Sequence, residues 1–350
     1  MKTCVMLCLM AGLILMVGCS TDDPAVAPDG GQFAIEATAS KAGAGPAPGG
    51  YYSFRWEEFA YSGFERINTR TGLADVIWHI GLTAEEGVTP LGLAFDLDGT
   101  MYTTLNYMDF TPENCWSQFA RVDGATGEVT RIGPIFPMNT CGGDINSRGE
   151  YYVTGMDVPP LGYIHGDGYL YRFDKRTGEA TQIGFTGMTD WMDMAFDSQD
   201  RLYATTQNKL FILDTTTGAG TFVADIAPVP NAAAPDLMEV MSIAFDDKDV
   251  LYGTAMTVWY DDPRGSPAFR IDAQTGAATL LGYTEQYYNH GGDIYPTQVD
   301  ICHLTGNGKY VPMTVSMNAL AAHRAHGDIV PGVDTTDCGC PGSGSLAASH

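Results

Sequence analysis

The feature that most constrains this chain is an internal repeat with a period of about fifty residues. Four segments align without gaps: LAFDLDGTMYTT (93–104), GDINSRGEYYVT (143–154), MAFDSQDRLYAT (194–205) and IAFDDKDVLYGT (243–254). A truncated fifth copy, GDIY, begins at Gly292. The equivalent apolar residues lie 50, 51, 49 and 49 residues apart, and they are Phe95, Ile145, Phe196, Phe245 and Ile294. A regular period of this length predicts a solenoid or a propeller.

A second motif follows each copy and predicts a hairpin. It occurs as RVDGATGEVTRIG (121–133), RFDKRTGEATQIG (172–184), ILDTTTGAGTFVA (212–224) and RIDAQTGAATLLG (270–282), and once without a preceding first half, as RINTRTGLADVIWHIG (66–81). In each copy an Asp or Asn begins a turn that ends in Thr-Gly, where glycine can adopt a positive φ. Each repeat unit is therefore predicted to contain four short strands, A to D.

Strands this short, with no helical stretch between them, predict an all-β fold, a propeller of five blades with four antiparallel strands each. The N-terminal unit lacks strand A, and the last copy of strand A has no partners. One blade is therefore predicted to combine strands B, C and D from residues 51–56, 64–68 and 74–81 with strand A from residues 291–295. This blade would join the two ends of the propeller and leave no open sheet edge. Six blades are the alternative if residues 297–316 add strands.

The repeats, of which GLAFDLDGTMYTT (92–104) is the fullest, resemble those of the NHL, regucalcin/gluconolactonase and quinoprotein-like propellers. The resemblance covers residues 51–296. It implies a scaffold and no particular activity, because propellers include hydrolases, lyases, lectins and interaction modules.

The N-terminus, MKTCVMLCLMAGLILMVGCS, has a lysine followed by a short apolar run, which predicts an export signal over residues 1–18. The run is too short for an ordinary transmembrane helix. Its end, LMVGC, resembles the lipobox of bacterial lipoproteins, which implies cleavage before Cys19 and lipidation of its sulfur. Ser20 then favours the outer membrane or cell surface over the inner membrane. A plain secretory signal is the alternative.

Composition divides the rest of the chain. Residues 19–50 are rich in Ala, Gly and Pro and predict a flexible tether between the lipid anchor and the propeller of residues 51–296. Residues 297–350 are predicted to form a small His/Cys module with a flexible tail.

There are 42 acidic against 18 basic residues and a formal net charge of −24, which disfavours a nucleic-acid partner.

One face of the predicted propeller carries the long connections, residues 106–118, 157–168, 225–240, 257–267 and 283–290. Long surface loops carry function, and these are rich in aromatic residues, so this face is predicted to bind a glycan or a protein. The alternative is that the rings only pack the loops onto the blades. Cys115 and Cys141 lie on this face and are predicted to form a disulfide.

The first residues of the A strands should surround the mouth of the central channel. Counting back from the apolar anchors places there Thr89, Asn139, Asp190, Glu239 and Tyr288, followed by Asn289 and His290. Carboxylates, amides and an imidazole that converge in this way could hold Ca²⁺. Regucalcin-like lactonases hold a divalent metal at the propeller centre with Glu, Asn and Asp, so the resemblance implies a metal-dependent hydrolase or lyase as an alternative function.

Two further acids, Asp144 and Asp293, lie deeper in the predicted channel, where the other blades have Ala. They either extend the channel-mouth site or staple neighbouring strands, since a buried carboxylate must be hydrogen-bonded or paired. No Walker loop, Rossmann fingerprint, G-x-S-x-G elbow or H-E-x-x-H motif occurs in the chain. A non-catalytic binding role is therefore favoured, with a structural envelope lipoprotein as a further alternative.

The segment ICHLTGNGKY (301–310) with TVSMNALAAHRAHGD (314–328) resembles a C-terminal element found on many exported bacterial proteins. Ser316 is predicted to cap a helix over Met317–His326 that Gly327 ends. One hypothesis is a Zn²⁺ site in which Cys302 can replace one ligand, and its ligands are His303, His323, His326 and Asp328. The alternative is that the imidazoles bind the TGNG loop while Cys302 pairs with Cys338 or Cys340.

Overall fold

A computed structural model describes residues 45–57, 61–80, 88–107, 116–156, 167–227, 239–256, 264–285, 289–335 and 339–341. The predicted signal peptide, Cys19, most of the tether, Cys115 and most of the long-loop face lie outside these residues. The lipid anchor, the binding role of that face and the Cys115–Cys141 disulfide therefore stay predictions. Among the described residues there is no helix of the length and apolarity needed to cross a membrane.

The described residues form 23 strands and one helix. The first twelve strands are β1 (Tyr51–Glu57), β2 (Tyr61–Ile67), β3 (Ala74–His79), β4 (Val88–Pro90), β5 (Ala94–Phe95), β6 (Met101–Tyr107), β7 (Trp116–Val122), β8 (Val129–Arg131), β9 (Asn139–Ile145), β10 (Tyr151–Met156), β11 (Asp167–Phe173) and β12 (Ala180–Thr189). The remaining elements are β13 (Trp191–Phe196), β14 (Leu202–Thr206), β15 (Lys209–Leu213), β16 (Gly220–Asp225), β17 (Val240–Phe245), β18 (Leu251–Ala255), β19 (Pro267–Ile271), β20 (Ala278–Tyr283), β21 (Asn289–Ile294), β22 (Gln298–Leu304), β23 (Tyr310–Ser316) and α1 (Met317–Ala325).

Strands β1 to β21 form a five-bladed propeller, as the repeat predicts. Blade 1 has the order β21-β1-β2-β3, blade 3 β9-β10-β11-β12, blade 4 β13-β14-β15-β16 and blade 5 β17-β18-β19-β20. In blade 2 the innermost strand is split into β4 and β5, which both pair with β6. The innermost strands of successive blades contact one another around the axis.

Blade 1 closes the ring with strands from both ends of the propeller, as predicted. Tyr51 in β1 lies opposite Ile294 in β21, and the antiparallel pairing extends to Arg55 and Asn289. The six-blade alternative is wrong, because β22 and β23 form a separate two-stranded sheet that adds no strand to a blade.

The Thr-Gly motifs form the turns between strands C and D. In blade 2, Asp123 accepts hydrogen bonds from the backbone N–H of Ala125 and Thr126, both at 2.9 Å, and these bonds lower the pKa of Asp123. Gly127 then adopts a φ of 75°, in the left-handed region that favours glycine. The same aspartate-centred turn recurs in blades 3, 4 and 5, so part of the acidic surplus serves the turns.

Two of the five blades fill the space beside the channel in a different way. Blades 2, 4 and 5 place an aliphatic residue in strand A and another in strand B, and the pairs are Leu93 with Met101, Met194 with Leu202, and Ile243 with Leu251. Blade 3 has Gly143 and Tyr151 at these positions, and blade 1 has Gly292 and Tyr51. A Cβ on Gly143 would lie 2.2 Å from the Tyr151 hydroxyl, so the tyrosine occupies the volume that the glycine leaves.

The two positions should therefore be coupled energetically. Gly143→Leu alone forces a side chain into the Tyr151 ring and is expected to lower the free energy of unfolding by about 2 kcal/mol or more. Gly143→Leu with Tyr151→Leu recreates the aliphatic pair of blades 2, 4 and 5, and should recover at least half of that loss. Chemical denaturation of both single variants and the double variant measures the coupling. Additive effects would contradict this packing account.

The C-terminal module packs on the propeller. Strands β22 and β23 and helix α1 share a small apolar core, to which Leu97 and Tyr295 of the propeller contribute. Arg324 donates to Asp98 at 2.9 Å and to Asp334 at 3.1 Å. Because Leu97 and Asp98 lie in the turn between strands A and B of blade 2, the module rests on the face opposite the long loops.

The structure corrects two details of the predicted module. Ser316 caps α1, accepting from the Asn318 N–H, but the helix ends at Ala325, and His326 is its exposed C-cap. Gly327 has a φ of 92° and reverses the chain where the sequence predicts the helix stop. Cys302 pairs with Cys340, at a Cα–Cα distance of 5.3 Å, and so cannot pair with Cys338 or bind a metal.

Candidate functional site

Four of the predicted channel-mouth residues occupy the same level in successive blades. In blades 2 to 5 the apolar anchor of strand A faces the first residue of strand B, and the predicted channel-mouth residue lies level with a position five residues further along strand B. Thr89 faces Asn106, Asn139 faces Met156, and the Glu239 carbonyl accepts from the Met256 N–H. Asp190 directly precedes Trp191, which faces Thr206.

Blade 1 differs at this level, because the predicted Tyr288 lies outside the described residues. Asn289 lies one residue further into the channel, opposite Arg55. We refer to Thr89, Asn139, Asp190, Glu239 and Asn289 together as the mouth ring.

The mouth ring is polar and buried. The exposed fraction of its five residues is between 1% and 8%. Asp190 accepts from the Thr189 hydroxyl at 3.0 Å and has a φ of 59°, an unusual conformation for a non-glycine residue. In contrast, neither the Asn139 Oδ1 nor the Asn289 Oδ1 has a hydrogen-bond partner among the described residues. A buried amide oxygen without a partner is costly, which marks both atoms as candidate ligand-binding groups.

One acidic residue beside this ring was not predicted from the sequence. Glu65 in β2 is fully buried and accepts a hydrogen bond from the Asn289 amide. The other blades have Ala120, Tyr171, Phe211 and Phe269 at the matching position of strand C. A carboxylate at an inward, otherwise uncharged position of the repeat is the sequence signal that could have identified it.

His290 adjoins the ring. Burial lowers its pKa to about 4, so the imidazole is neutral at physiological pH. Its Nδ1 has no hydrogen-bond partner within the described part of the chain. A neutral imidazole with a free nitrogen can accept a proton or bind a metal ion.

Deeper in the channel, Asp144 and Asp293 link neighbouring blades. Asp144 of blade 3 accepts from the Phe196 N–H of blade 4 at 2.5 Å, and Asp293 of blade 1 accepts from the Phe95 N–H of blade 2 at 2.6 Å. Each acid also accepts from the backbone N–H of its following residue. The two carboxylates therefore link the inner strands of neighbouring blades, which was the alternative to their being part of the channel-mouth site.

A third channel acid, Asp193, was not singled out in the sequence. Its Oδ2 accepts from the Ile243 N–H at 2.8 Å and from the Gly292 N–H at 3.0 Å, so it links blade 4 to blades 5 and 1. The residue is 1% exposed, and its Oδ1 has no partner in the described residues. The signal for it was a charged residue within the apolar run WMDMAF of strand A.

Burial and mutual repulsion shift the titration of these three acids. Burial raises the pKa of Asp144 to about 7. Burial also raises the pKa of Asp193 and Asp293 well above the ordinary value, and the Asp144 charge raises both further. Since like charges in a low-dielectric channel disfavour one another, the three acids are not all ionised at neutral pH.

The fold should therefore lose stability as the pH rises from about 4 to 7, because over this range only the folded chain keeps the Asp144 proton. The folded chain holds this proton up to about pH 7, whereas the unfolded chain releases it near pH 3.8. The stabilisation is complete below about pH 4 and is lost as the pH rises towards 7, with a slope of at most about 1.4 kcal/mol per pH unit. Asparagine at position 144 cannot titrate. The unfolding free energy of wild type should therefore fall relative to that of Asp144→Asn as the pH rises over this range. Denaturant unfolding at pH 4, 5, 6 and 7 measures it, and a constant difference would contradict the proton assigned to Asp144.

The predicted metal ligands of the C-terminal module converge in part. Asp328 is fully buried, and its Oδ2 lies 2.9 Å from the His303 Nδ1 and 2.7 Å from the His323 Nδ1. Burial, which would raise the pKa of Asp328, is outweighed by hydrogen bonds from His303, the Leu304 N–H and His323, and the pKa falls to about 2. His326 is exposed and lies outside this cluster. The imidazoles bind Asp328 instead of the TGNG loop.

No protein-family model matches the chain, and no curated protein matches it. Solved structures do match it. A chain of a nidogen/laminin complex is 14% identical, with a TM-score of 0.43, over 71% of this chain and 98% of that chain. A gluconolactonase from Xanthomonas campestris is 14% identical, with a TM-score of 0.40, over 78% and 88% of the two chains. A putative gluconolactonase is 8% identical, with a TM-score of 0.39, over 77% and 90%.

Proposed function

We propose that this chain is an envelope-anchored β-propeller that binds a glycan or protein ligand through a Ca²⁺ ion in the mouth ring. The observation that carries the proposal is the pair of buried amide oxygens, on Asn139 and Asn289, that have no hydrogen-bond partner among the described residues. Four successive blades contribute to the ring at one level, so the arrangement depends on the propeller as a whole.

Calcium suits the chemistry of this ring. Ca²⁺ takes six to eight oxygen ligands, drawn from carboxylates, amide carbonyls and water. Asp190 and Glu239 supply two carboxylates, and Asn139 and Asn289 supply two amide oxygens. These four residues leave coordination positions for the oxygens of a ligand, such as neighbouring hydroxyl groups of a sugar.

The proposed cellular setting rests on the N-terminal sequence. The lipobox-like LMVGC implies lipidation of Cys19, and residues 19–50 would tether the propeller to the outer membrane or cell surface. Along the chain, the long connections 225–240 and 283–290 lead directly into A strands at the mouth ring. A ligand held by the ion would therefore also contact the long-loop face.

A second candidate function is a metal-dependent hydrolase or lyase that acts on a lactone or sugar acid. The observation that favours it is His290, a neutral imidazole whose Nδ1 has no partner in the described residues and whose neighbour is Asn289. An ion in the mouth ring would polarise a carbonyl, and His290 would accept the proton of the attacking water.

The proposal predicts that Ca²⁺ stabilises the folded chain through the mouth ring. Wild type should gain roughly 2.7 kcal/mol in unfolding free energy at a Ca²⁺ concentration one hundred times the dissociation constant. Asp190→Asn with Glu239→Gln should abolish this gain, because the ion loses both of its charged ligands. Glu128→Gln with Glu179→Gln removes two exposed acids from turns at the opposite face and should leave the gain intact.

Thermal unfolding with Ca²⁺ and with chelator measures the gain, and calorimetric titration gives the stoichiometry. Equal stabilisation of wild type and the mouth-ring variant would contradict the proposed site.

His290→Gln distinguishes the binding function from the enzymatic function. If it retains Ca²⁺ binding but loses hydrolysis of a model lactone that wild type hydrolyses, the chain is an enzyme.

A further inference from the structure

The C-terminal module brings together three residues that are far apart in sequence. His303 lies in β22, His323 lies in the last turn of α1, and Asp328 follows the chain reversal at Gly327. Within the described residues, these are the one group of three or more His, Cys, Asp or Glu side chains whose ligand atoms lie within 4.8 Å of one another. The three channel acids do not meet this criterion.

We propose that His303, His323 and Asp328 form a binding site for Zn²⁺ or a chemically similar divalent transition-metal ion. The site is separate from the mouth ring, because the module rests on the opposite face of the propeller. Its chemistry also differs, since two imidazole nitrogens favour zinc, whereas an all-oxygen ring favours calcium.

The geometry needs only a small adjustment to accept an ion. The Asp328 Oδ2 lies 2.7 and 2.9 Å from the two Nδ1 atoms, and His303 and His323 are in edge-to-face contact with ring centroids 5.9 Å apart. Tetrahedral zinc with ligand bonds of about 2.0 to 2.1 Å separates its ligand atoms by about 3.3 Å. An ion at this point would therefore widen each contact by about half an ångström.

Zinc binding also requires a change of tautomer that the surroundings permit. In the structure both Nδ1 atoms donate to Asp328, and neither Nε2 has a partner among the described residues. When Nδ1 binds the ion, each neutral imidazole must carry its proton on Nε2. The side chains of His303 and His323 are 34% and 25% exposed, so solvent can accept these hydrogen bonds.

The burial of Asp328 explains why an ion would improve the site. Its carboxylate has no exposed surface, and the two rings that contact it provide no full counter-charge when they are neutral. A divalent ion would compensate this buried charge and would leave one coordination position towards solvent. Three protein ligands with one open position are typical of zinc sites that bind a further ligand or activate water.

The module already has the supports that a rigid site requires. The Cys302–Cys340 disulfide holds the residue next to His303, and Cys302 and Ile329 exchange two backbone hydrogen bonds beside Asp328. The Leu304 N–H donates to the Asp328 Oδ1 at 2.7 Å and orients the carboxylate. Groups that orient ligands in this way contribute to metal affinity.

The experiment is a Zn²⁺ titration of the purified full chain after chelator treatment and removal of the chelator, monitored by calorimetry and by metal analysis after dialysis. Wild type should bind one Zn²⁺ at this site. Asp328→Asn should weaken binding at least about tenfold. His326→Ala is the matched control, because His326 is the exposed neighbouring histidine outside the cluster, and it should bind as wild type does.

A second variant and a second readout distinguish loss of the zinc site from unfolding of the chain. His323→Gln retains a hydrogen-bond donor near Asp328 but offers a poor zinc ligand, so it should fold, as judged by circular dichroism, and still lose binding. Co²⁺ in place of Zn²⁺ should give visible absorption bands of tetrahedral coordination in wild type and not in His323→Gln. Absence of Zn²⁺ binding by wild type, or equal binding by a folded Asp328→Asn or His323→Gln variant, would overturn the proposal. Asp190→Asn with Glu239→Gln should retain Zn²⁺ binding, which keeps this result independent of the proposed Ca²⁺ site.

Discussion

The pairing of β1 with β21 is the contact on which the rest of the molecule depends. A blade cannot bury both of its faces alone, and each needs a neighbour on either side. Until residues 51–57 pair with residues 289–294, blades 2 and 5 have no common neighbour, and the chain is an open array with two exposed ends. The mouth ring, the contacts of the channel acids and the propeller surface on which the C-terminal module packs all require this closure.

Closure also explains why charged groups can occupy the centre of the molecule. The three channel acids accept backbone hydrogen bonds from the neighbouring blades, so each carboxylate satisfies N–H groups that the inner strands would otherwise bury without a partner. The cost is a concentration of negative charge in a poorly solvated channel, which protonation relieves. The Gly143–Tyr151 and Gly292–Tyr51 pairs occur in the two blades that carry Asp144 and Asp293. In both blades, the glycine directly before the channel acid thus leaves space for the ring of a tyrosine on the next strand.

The two proposed ions are distinguished by the elements that hold them. The mouth ring uses one residue from each of several blades, so its geometry is as rigid as the propeller, and it offers only oxygen atoms. The site in the C-terminal module uses a strand, a helix and the segment after the helix, and it offers two imidazoles with a carboxylate. The two proposals therefore place an oxygen-bound Ca²⁺ ion and a histidine-bound Zn²⁺ ion on opposite faces of the propeller.

The sequence by itself determined the strands, the turns and the number of blades, because these depend on local patterns repeated five times: an apolar anchor, a turn centred on Asp or Asn, and a glycine with positive φ. It also identified most of the mouth ring, since equal distance from an anchor means an equal level in the propeller. Only the tertiary structure decided what each polar side chain contacts. Glu65 meets Asn289 from the opposite end of the propeller, and Asp193 accepts hydrogen bonds from two other blades. Cys302 pairs with Cys340, and His326 lies outside the cluster of His303, His323 and Asp328. Such contacts join residues that are distant along the chain, and no local pattern specifies them.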